Sequence, residues 1–436
     1  MLRFSKKPLL TTLFLLSLSP AGFATPDFGP VSMGDFYASL PGVKQNAKLG
    51  EIIKSEKIST SMANVQAWKI AYISSDVLEH KTLATAIVAF SNTSALKKDR
   101  PIIAWAHGTT GTAQNCGPSQ ILDPAQPLNQ YFLPNGNSWS DYGLPAMKAF
   151  IDAGYVIVAS DYQGLGAGGK HQYAVAATQA RDVINSIRAA SLLPEVKVGS
   201  KAVIYGWSQG GGAVIAAAGL SDYVNQKGTA KDNIEIIGVV AMAPYDLAVT
   251  FPNKKVDATE ATTYLNQLSA QFSTNIFNFT HYAQNVWGMV AAFPNLQLND
   301  IFTDEGAKIV NEVLERKCMH AATDTFNFAY GKEYKNLLRS DIKNASAWIE
   351  AYQKSSVMPV KPMAPIIIYY GTDDTTVPPV MGKLYAEQMC QLGANITRVQ
   401  LSGNQNHFTT PEKAEPLYIQ WVADRFAGKE AVNGCE

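Results

Sequence analysis

The sequence predicts an α/β protein: a mostly parallel central sheet flanked by helices, with a helical subdomain inserted between two of its strands. Three observations predict it. Short apolar runs without polar alternation, such as residues 102–105 and 365–370, read as strands covered on both faces. Strand-like and helix-like segments alternate from about residue 102 to residue 242, the rhythm of βαβ units with right-handed crossovers. That rhythm then gives way to amphipathic helix and resumes near residue 365, which marks an insertion rather than a tandem domain. A chain of 436 residues has room for this, since single cores stop growing near ~300 residues.

Taken in order, residues 1–24 read as an export signal. Arg3, Lys6 and Lys7 precede an apolar run over residues 9–18, and Gly22, Phe23 and Ala24 offer cleavage after Ala24. The run is far shorter than the ~20 apolar residues that span a bilayer, and no cysteine follows it as in a lipoprotein. Elsewhere no stretch is long enough to span, so a secreted or periplasmic chain without a stable membrane anchor is expected. Residues 25–65 read as an irregular arm carrying Phe36, Tyr37 and Pro41, and residues 67–74 and 84–90 as strands rich in β-branched or aromatic residues. The run at 102–105 stops at His107-Gly108-Thr109-Thr110-Gly111. A strand at 155–159, a helix at 179–193, a strand at 202–205, an Ala-rich helix at 212–220 and a strand at 234–242 complete the first part of the core, residues 25–247. Residues 248–359 form the helical insertion, with helices at 261–272, 304–316 and 342–352. The core resumes over residues 360–436 with strands at 365–370 and 396–401 and a last helix near 416–426.

Composition excludes more than it selects. Thirty-six basic residues balance 36 acidic ones, which leaves no electrostatic footprint for nucleic acid or an anionic membrane. The four cysteines Cys116, Cys318, Cys390 and Cys435 are an even number in an exported chain, which favours disulfides, in any of three pairings. No Cys-x-x-Cys or clustered Cys and His spacing points to a metal site.

The sharpest local signal is Gly206-Trp207-Ser208-Gln209-Gly210-Gly211, a G-x-S-x-G pattern where a Val-Ile strand meets a small-residue helix. A strand that turns abruptly into a helix strains the backbone at Ser208 and leaves no room for side chains at Gly206 or Gly210. This is the nucleophile elbow of the α/β-hydrolase fold, in which the chain order is Ser, acid, His. A serine hydroxyl needs a histidine to take its proton and a carboxylate to orient that histidine. Only His281, His320 and His407 follow Ser208. The first two lie in the insertion, ahead of any strand that could carry the acid, and read as solvated or capping. His407 stands in a polar loop after the last strand and is the expected base. The acid comes from Gly371-Thr372-Asp373-Asp374-Thr375-Thr376-Val377-Pro378: G-x-x-D-x-x-V-P spacing selects Asp374 and leaves Asp373 to shape the turn. Backbone N–H groups of Gln209 and Thr109 are the expected oxyanion donors, with the hydroxyl of Thr109 or Thr110 as a third, and His107 as a brace of that loop.

Together these segments resemble the secretory lipase family of fungi and bacteria. The likeness rests on residues 106–111 leading into Asn115-Cys116-Gly117-Pro118-Ser119, on Asp161-Tyr162-Gln163-Gly164-Leu165-Gly166, on the serine elbow, on Ala243-Pro244-Tyr245-Asp246-Leu247, and on the Asp374 and His407 loops. It implies an α/β-hydrolase core with a helical cap, acting on acyl esters, triacylglycerols included, without a cofactor. It also implies that Cys116 pairs with the cap cysteine, Cys318, and leaves Cys390 to Cys435. The family's other disulfide has its cysteine beside the histidine, where this chain has residues 404–406, all Asn or Gln.

The expected activity is hydrolysis of carboxylic esters by a monomer that touches a lipid interface only transiently. The apolar cap cluster Trp287, Met289, Val290, Phe293, Leu296 and Phe302 is expected mostly to pack the cap, with one or two members touching substrate. A serine peptidase or amidase with the same triad would need a charged pocket residue for a peptide end, and the cap shows no Glu-Glu pair. A lipid-binding protein without turnover is disfavoured by the intact Ser208, Asp374 and His407.

Overall fold

The apolar run ahead of His107 lies at the middle of a nine-stranded sheet. The computed structural model describes residues 34–44, 46–93, 99–120, 123–125 and 143–435; the expected export signal lies outside them. The strands are β1 (Ile52–Ile58), β2 (Val65–Ser75), β3 (Lys81–Ser91), β4 (Arg100–Ala106), β5 (Val156–Gln163), β6 (Val198–Trp207), β7 (Glu235–Met242), β8 (Ile366–Tyr370) and β9 (Ile396–Gln400), in the order β1-β2-β3-β5-β4-β6-β7-β8-β9. Pairing is antiparallel from β1 to β5 and parallel from β5 through β4 to β9. The parallel strands at the centre are the deeply buried ones; every residue of β5 is buried.

The helices are α1 (Asp35–Ala38), α2 (Met147–Asp152), α3 (Ala176–Ala190), α4 (Gln209–Ala218), α5 (Ser221–Val224), α6 (Ala258–Phe272), α7 (Ile276–Ala292), α8 (Asp304–Leu314), α9 (Met319–Tyr330), α10 (Ala345–Lys354), α11 (Val380–Cys390) and α12 (Thr410–Phe426). Helices α3 and α4 pack on each other and on the central strands. Phe150 of α2 and Tyr418 of α12 meet on the ring of Tyr205 in β6, with centroids 5.6 and 5.8 Å away. Helices α6 to α10 fill the interval between β7 and β8, and among the described residues no helix is long and apolar enough to cross a membrane.

Three departures from the sequence reading have physical causes. The arm over residues 25–65 is not irregular throughout: β1 pairs with β2 from Ile52 to Ile58. Its sequence, Ile-Ile-Lys-Ser-Glu-Lys-Ile, is that of an edge strand half in water, where charges protect the open edge and erase the apolar signal. Helix α7 also went unread, because it is buried on nearly every side and so shows no amphipathic stripe. Helix α12 begins six residues before Pro416, which sits inside it; a proline in mid-helix reads as a start because it lacks the N–H that an interior position needs.

The chain leaves β4 toward β5 on one side and returns through α3 to β6 on the other, so the strand order reverses at β4. Such a reversal opens a crevice at the carboxyl ends of the flanking strands. Ala106, the last residue of β4, lies level with Gly206 of β6, which sets the loop after β4 beside the turn after β6.

Candidate active site

Backbone contact decides the turn after β6. A Cβ on Gly206 would lie 2.4 Å from the Gly210 carbonyl oxygen, and one on Gly210 would lie 1.9 Å from that of Ala106. Only glycine lets strand, turn and helix approach this closely. Between them Ser208 adopts φ 58° and ψ −119°, a conformation that costs about 1–3 kcal/mol for a residue with a side chain. It is held there by its N–H, donated to the Met242 carbonyl at 2.9 Å, and by its carbonyl, which accepts from Gly212 at 3.0 Å and Tyr245 at 2.9 Å.

The three expected side chains meet. His407 Nε2 lies 2.8 Å from Ser208 Oγ, and His407 Nδ1 lies 2.7 Å from Asp374 Oδ2. The other carboxylate oxygen, Oδ1, accepts the backbone N–H groups of Thr376 at 3.0 Å and Val377 at 2.8 Å. A carboxylate oxygen can only accept, so His407 Nδ1 is the donor toward Asp374, and Nε2 is left to accept from the serine hydroxyl. Asp373 is exposed and serves the turn, its N–H donating to the Gln405 carbonyl at 3.0 Å. Ser208, Asp374 and His407 are 4%, 4% and 3% exposed, so the group is shielded from bulk water.

Trp207, the variable residue of the elbow, has a part that pattern reading missed. Its indole Nε1–H donates to the His407 carbonyl at 3.1 Å, and its ring lies 4.8 Å from the imidazole. It also meets the loop after β4, where a Cβ on Gly108 would fall 2.3 Å from the indole. One ring thus spaces the histidine loop from the β4 loop, and only the fold shows it.

Thr109 borders the same cavity as Ser208, and Gln209 opens α4, where first-turn N–H groups have no carbonyl behind them. The Thr109 hydroxyl is engaged with the Tyr173 hydroxyl at 2.7 Å; that of Thr110 is buried without a partner among the described residues. The Gln209 amide donates from Nε2 to His171 Nε2 at 3.2 Å, while His171 Nδ1 faces the Gln163 carbonyl at 2.7 Å. Burial lowers the His171 pKa to about 3, which keeps the ring neutral and able to accept. His107 braces the loop as its position suggested: Nδ1 lies 2.6 Å from the Gly108 carbonyl oxygen and Nε2 3.2 Å from that of Asp161, with the pKa lowered to about 4 by burial. Asp161 itself accepts from Thr85 Oγ1 at 2.6 Å and from the Ser119 N–H at 2.8 Å, and burial raises its pKa to about 6.

Disulfides join Cys116 to Cys318 and Cys390 to Cys435, the pairings that the resemblance implied. The first ties the β4 loop to the start of α9, reinforced by the Met319 N–H donated to the Thr110 carbonyl at 2.9 Å.

Two expectations are corrected. His281 is neither solvated nor capping: it is 8% exposed, with Nδ1 3.0 Å from the Phe277 carbonyl oxygen, and it lines the space beside Ser208. Its pKa falls to about 4, through burial first and then through the neighbouring His407 and His320. The apolar set Trp287, Met289, Val290, Phe293, Leu296 and Phe302 belongs to the packed core, and none of it lines that space. Phe272, Phe277 and Met319 do instead, because the ends of α6, α7 and α9 face the sheet edge while the middle of the block faces itself.

Comparison with known proteins identifies the chain's relatives. A family model described as secretory lipase matches residues 141–434. Lipase 9 of Candida albicans is 25% identical over 444 aligned residues, covering 97% of this chain and 88% of the relative. A secreted triacylglycerol lipase of Malassezia globosa is 20% identical, with 93% and 81% covered. Among solved structures, Candida antarctica lipase A in its closed state superposes with a TM-score of 0.69 at 17% identity, covering 92% of this chain and 87% of that one. The rice cell wall degrading esterase LipA of Xanthomonas oryzae gives 0.63 at 16% identity, with 88% and 100% covered. The structural likeness shows the shared α/β-hydrolase fold; the family match goes further, and the chain belongs to the secretory lipase family of carboxylic ester hydrolases.

Proposed function

We propose that the protein is an exported serine esterase or lipase in which Ser208 is the nucleophile, His407 the base and Asp374 the residue that orients it. The observation that carries this is the unbroken hydrogen-bond line from Asp374 through His407 to Ser208. In acylation, His407 Nε2 takes the hydroxyl proton as Ser208 Oγ bonds to the ester carbon. The N–H groups of Thr109 and Gln209 receive the charge that develops on the carbonyl oxygen. The tetrahedral adduct then collapses, the ester C–O bond breaks, and the imidazolium returns its proton to the leaving alcohol. Water attacks the acyl-serine by the same route, giving the acid and restoring Ser208. No step calls for a cofactor or metal.

The burial of Ser208 supports a cap role for the helical block at about residues 248–359, since α7 and α9 cover the serine and substrate entry requires them to move. Acyl esters, the class that includes triacylglycerols, fit the names of the relatives. Export through a signal over residues 1–24, cleaved after Ala24, fits the family and the two disulfides. We take the working form to be a monomer that meets a lipid surface transiently.

The test pairs a labelled fluorophosphonate with Ser208→Ala. The natural protein is expected to label at Ser208 and to hydrolyse p-nitrophenyl butyrate, and the variant to do neither at an unchanged melting temperature. Labelling elsewhere, or turnover that survives the substitution, overturns the assignment.

A further inference from the structure

The oxyanion donor at Gln209 is not placed by its own helix alone. Its N–H and the Ser208 carbonyl belong to one planar peptide unit, so whatever turns the carbonyl turns the donor. That carbonyl accepts from Gly212 at 3.0 Å, the ordinary bond of the first turn of α4, and from Tyr245 at 2.9 Å. The second bond comes from outside the helix, from the connection that leaves β7 for the helical block.

That connection lies directly on α4. A Cβ on Gly212 would fall 2.0 Å from the Tyr245 carbonyl oxygen, and one on Gly211 would fall 2.8 Å from Pro244 Cα, so both positions after the elbow need glycine. Beyond Tyr245 the connection is held by Asp246, which is buried. Its Oδ1 accepts the Ala248 N–H at 2.9 Å and caps the turn at Leu247–Thr250, while Oδ2 accepts the Ser356 hydroxyl. Ser356 lies on the chain returning from α10, and that return is itself fastened to the core. The Ala177 N–H of α3 is donated to the Ser355 carbonyl at 2.8 Å, and the Met363 N–H to the Ala218 carbonyl of α4 at 2.8 Å. Asp246 therefore joins the outgoing connection to the returning one, and both are bonded to the nucleophile helix. None of the residues in these bonds belongs to α6 to α10. The carboxylate takes no part in the proton transfers at Ser208. Its partners are neutral, and burial raises its pKa to about 6, so keeping it ionised near neutral pH costs stability.

We propose that Asp246 is a positioning residue for the oxyanion hole: by clasping Ser356 it fixes the 243–246 connection, whose Tyr245 N–H sets the Ser208–Gln209 peptide. This rests on the serine-esterase reading above and adds a residue that acts through the backbone rather than on the substrate. An oxyanion donor must stand within about 0.5 Å of its place, so loosening a connection bonded to its own peptide is felt in the rate.

The test uses Asp246→Ala, Ser356→Ala, the double variant and Asp246→Asn. Each is assayed on p-nitrophenyl butyrate and then bound to trifluoromethyl propyl ketone, whose hemiketal with Ser208 puts an oxyanion in the hole. Losing one such donor outright costs about 10²–10³ in kcat, so a displaced donor in Asp246→Ala should cost about tenfold, with KM within about twofold. The acid dissociation constant of the bound hemiketal, read by fluorine NMR, should fall by the same factor. Ser356→Ala should lose about threefold, and the double variant should be no worse than Asp246→Ala, since both remove one bond. Asp246→Asn can accept from Ala248 with its carbonyl and donate to Ser356 Oγ with its NH2, and should return to within about threefold of the natural rate. An unchanged kcat in Asp246→Ala overturns the proposal. So does a loss of rate with the hemiketal constant unchanged, or a loss confined to KM, the mark of a residue that only holds the cap. Should Asp246→Ala fail to fold, Ser356→Ala decides: a parallel fall of kcat and hemiketal constant upholds the proposal, and natural values overturn it. A natural protein that neither hydrolyses the ester nor reacts with fluorophosphonate instead sinks the serine-esterase reading on which it stands.

Discussion

Replacing Asp374 by Asn separates orientation from packing. In the natural protein Oδ1 accepts two backbone N–H groups, from Thr376 and Val377, and Oδ2 faces His407 Nδ1. An asparagine can keep the first two bonds only by leaving its carbonyl oxygen there, which turns its NH2 toward His407. Nδ1 must then accept, the ring proton moves to Nε2, and Nε2–H points at the Ser208 hydroxyl, which it can no longer deprotonate. In serine hydrolases of this arrangement the wrong tautomer costs about 10⁴ in kcat, or about 5 kcal/mol of barrier. Because the backbone bonds persist, stability should change by no more than about 1 kcal/mol. The assay is kcat on p-nitrophenyl butyrate beside urea unfolding, with Asp373→Asn as the control; that residue is exposed, and its variant should stay within about twofold of the natural rate. An Asp374→Asn enzyme retaining more than about a tenth of its activity, or an Asp373→Asn enzyme as damaged as it, would refute the reasoning.

Two further outcomes follow from the structure. The Cys116–Cys318 disulfide closes a separation of 202 residues, and on the chain-entropy account its removal in a Cys116→Ser/Cys318→Ser variant should cost about 5 kcal/mol; a loss under about 1 kcal/mol in urea unfolding would show that the native bonds between the β4 loop and α9 suffice alone. His107 has a folded pKa lowered by burial to about 4, below the ~6.5 of an unfolded histidine, so the unfolded chain binds the extra proton between those values. Its contribution is therefore complete above about pH 6.5 and is lost as pH falls toward 4, by about 2 kcal/mol at pH 5. His107→Gln should flatten the pH 7 to pH 5 loss of unfolding free energy by that amount, and parallel profiles would contradict it.

Much of the site was legible because its chemistry forces residue types at fixed offsets. The elbow needs glycines two before and two after the serine, for reasons of backbone contact that any fold would impose, and those contacts are 2.4 and 1.9 Å here. The acid loop follows β8, an apolar strand buried enough to be seen, whereas the base loop follows the partly exposed edge strand β9, Ile-Thr-Arg-Val-Gln. Helix α8 was legible because one face meets water, and α4, buried throughout, because of its run of small residues; α7, α9 and α11 went unread.

By itself the sequence determined the fold class and singled out Ser208, His407 and Asp374, the three side chains that the structure brings together, since each is written as a local pattern of a few residues read in chain order. Only the tertiary structure decided which helical residues reach the serine, that Trp207 spaces two loops, and that His281 is buried beside the nucleophile rather than solvated. The reason is the range of the forces concerned: strain and hydrogen-bond geometry at a turn act over a few neighbours, whereas burial and the shape of a cavity are set by segments a hundred or more residues apart that meet only once the chain is folded.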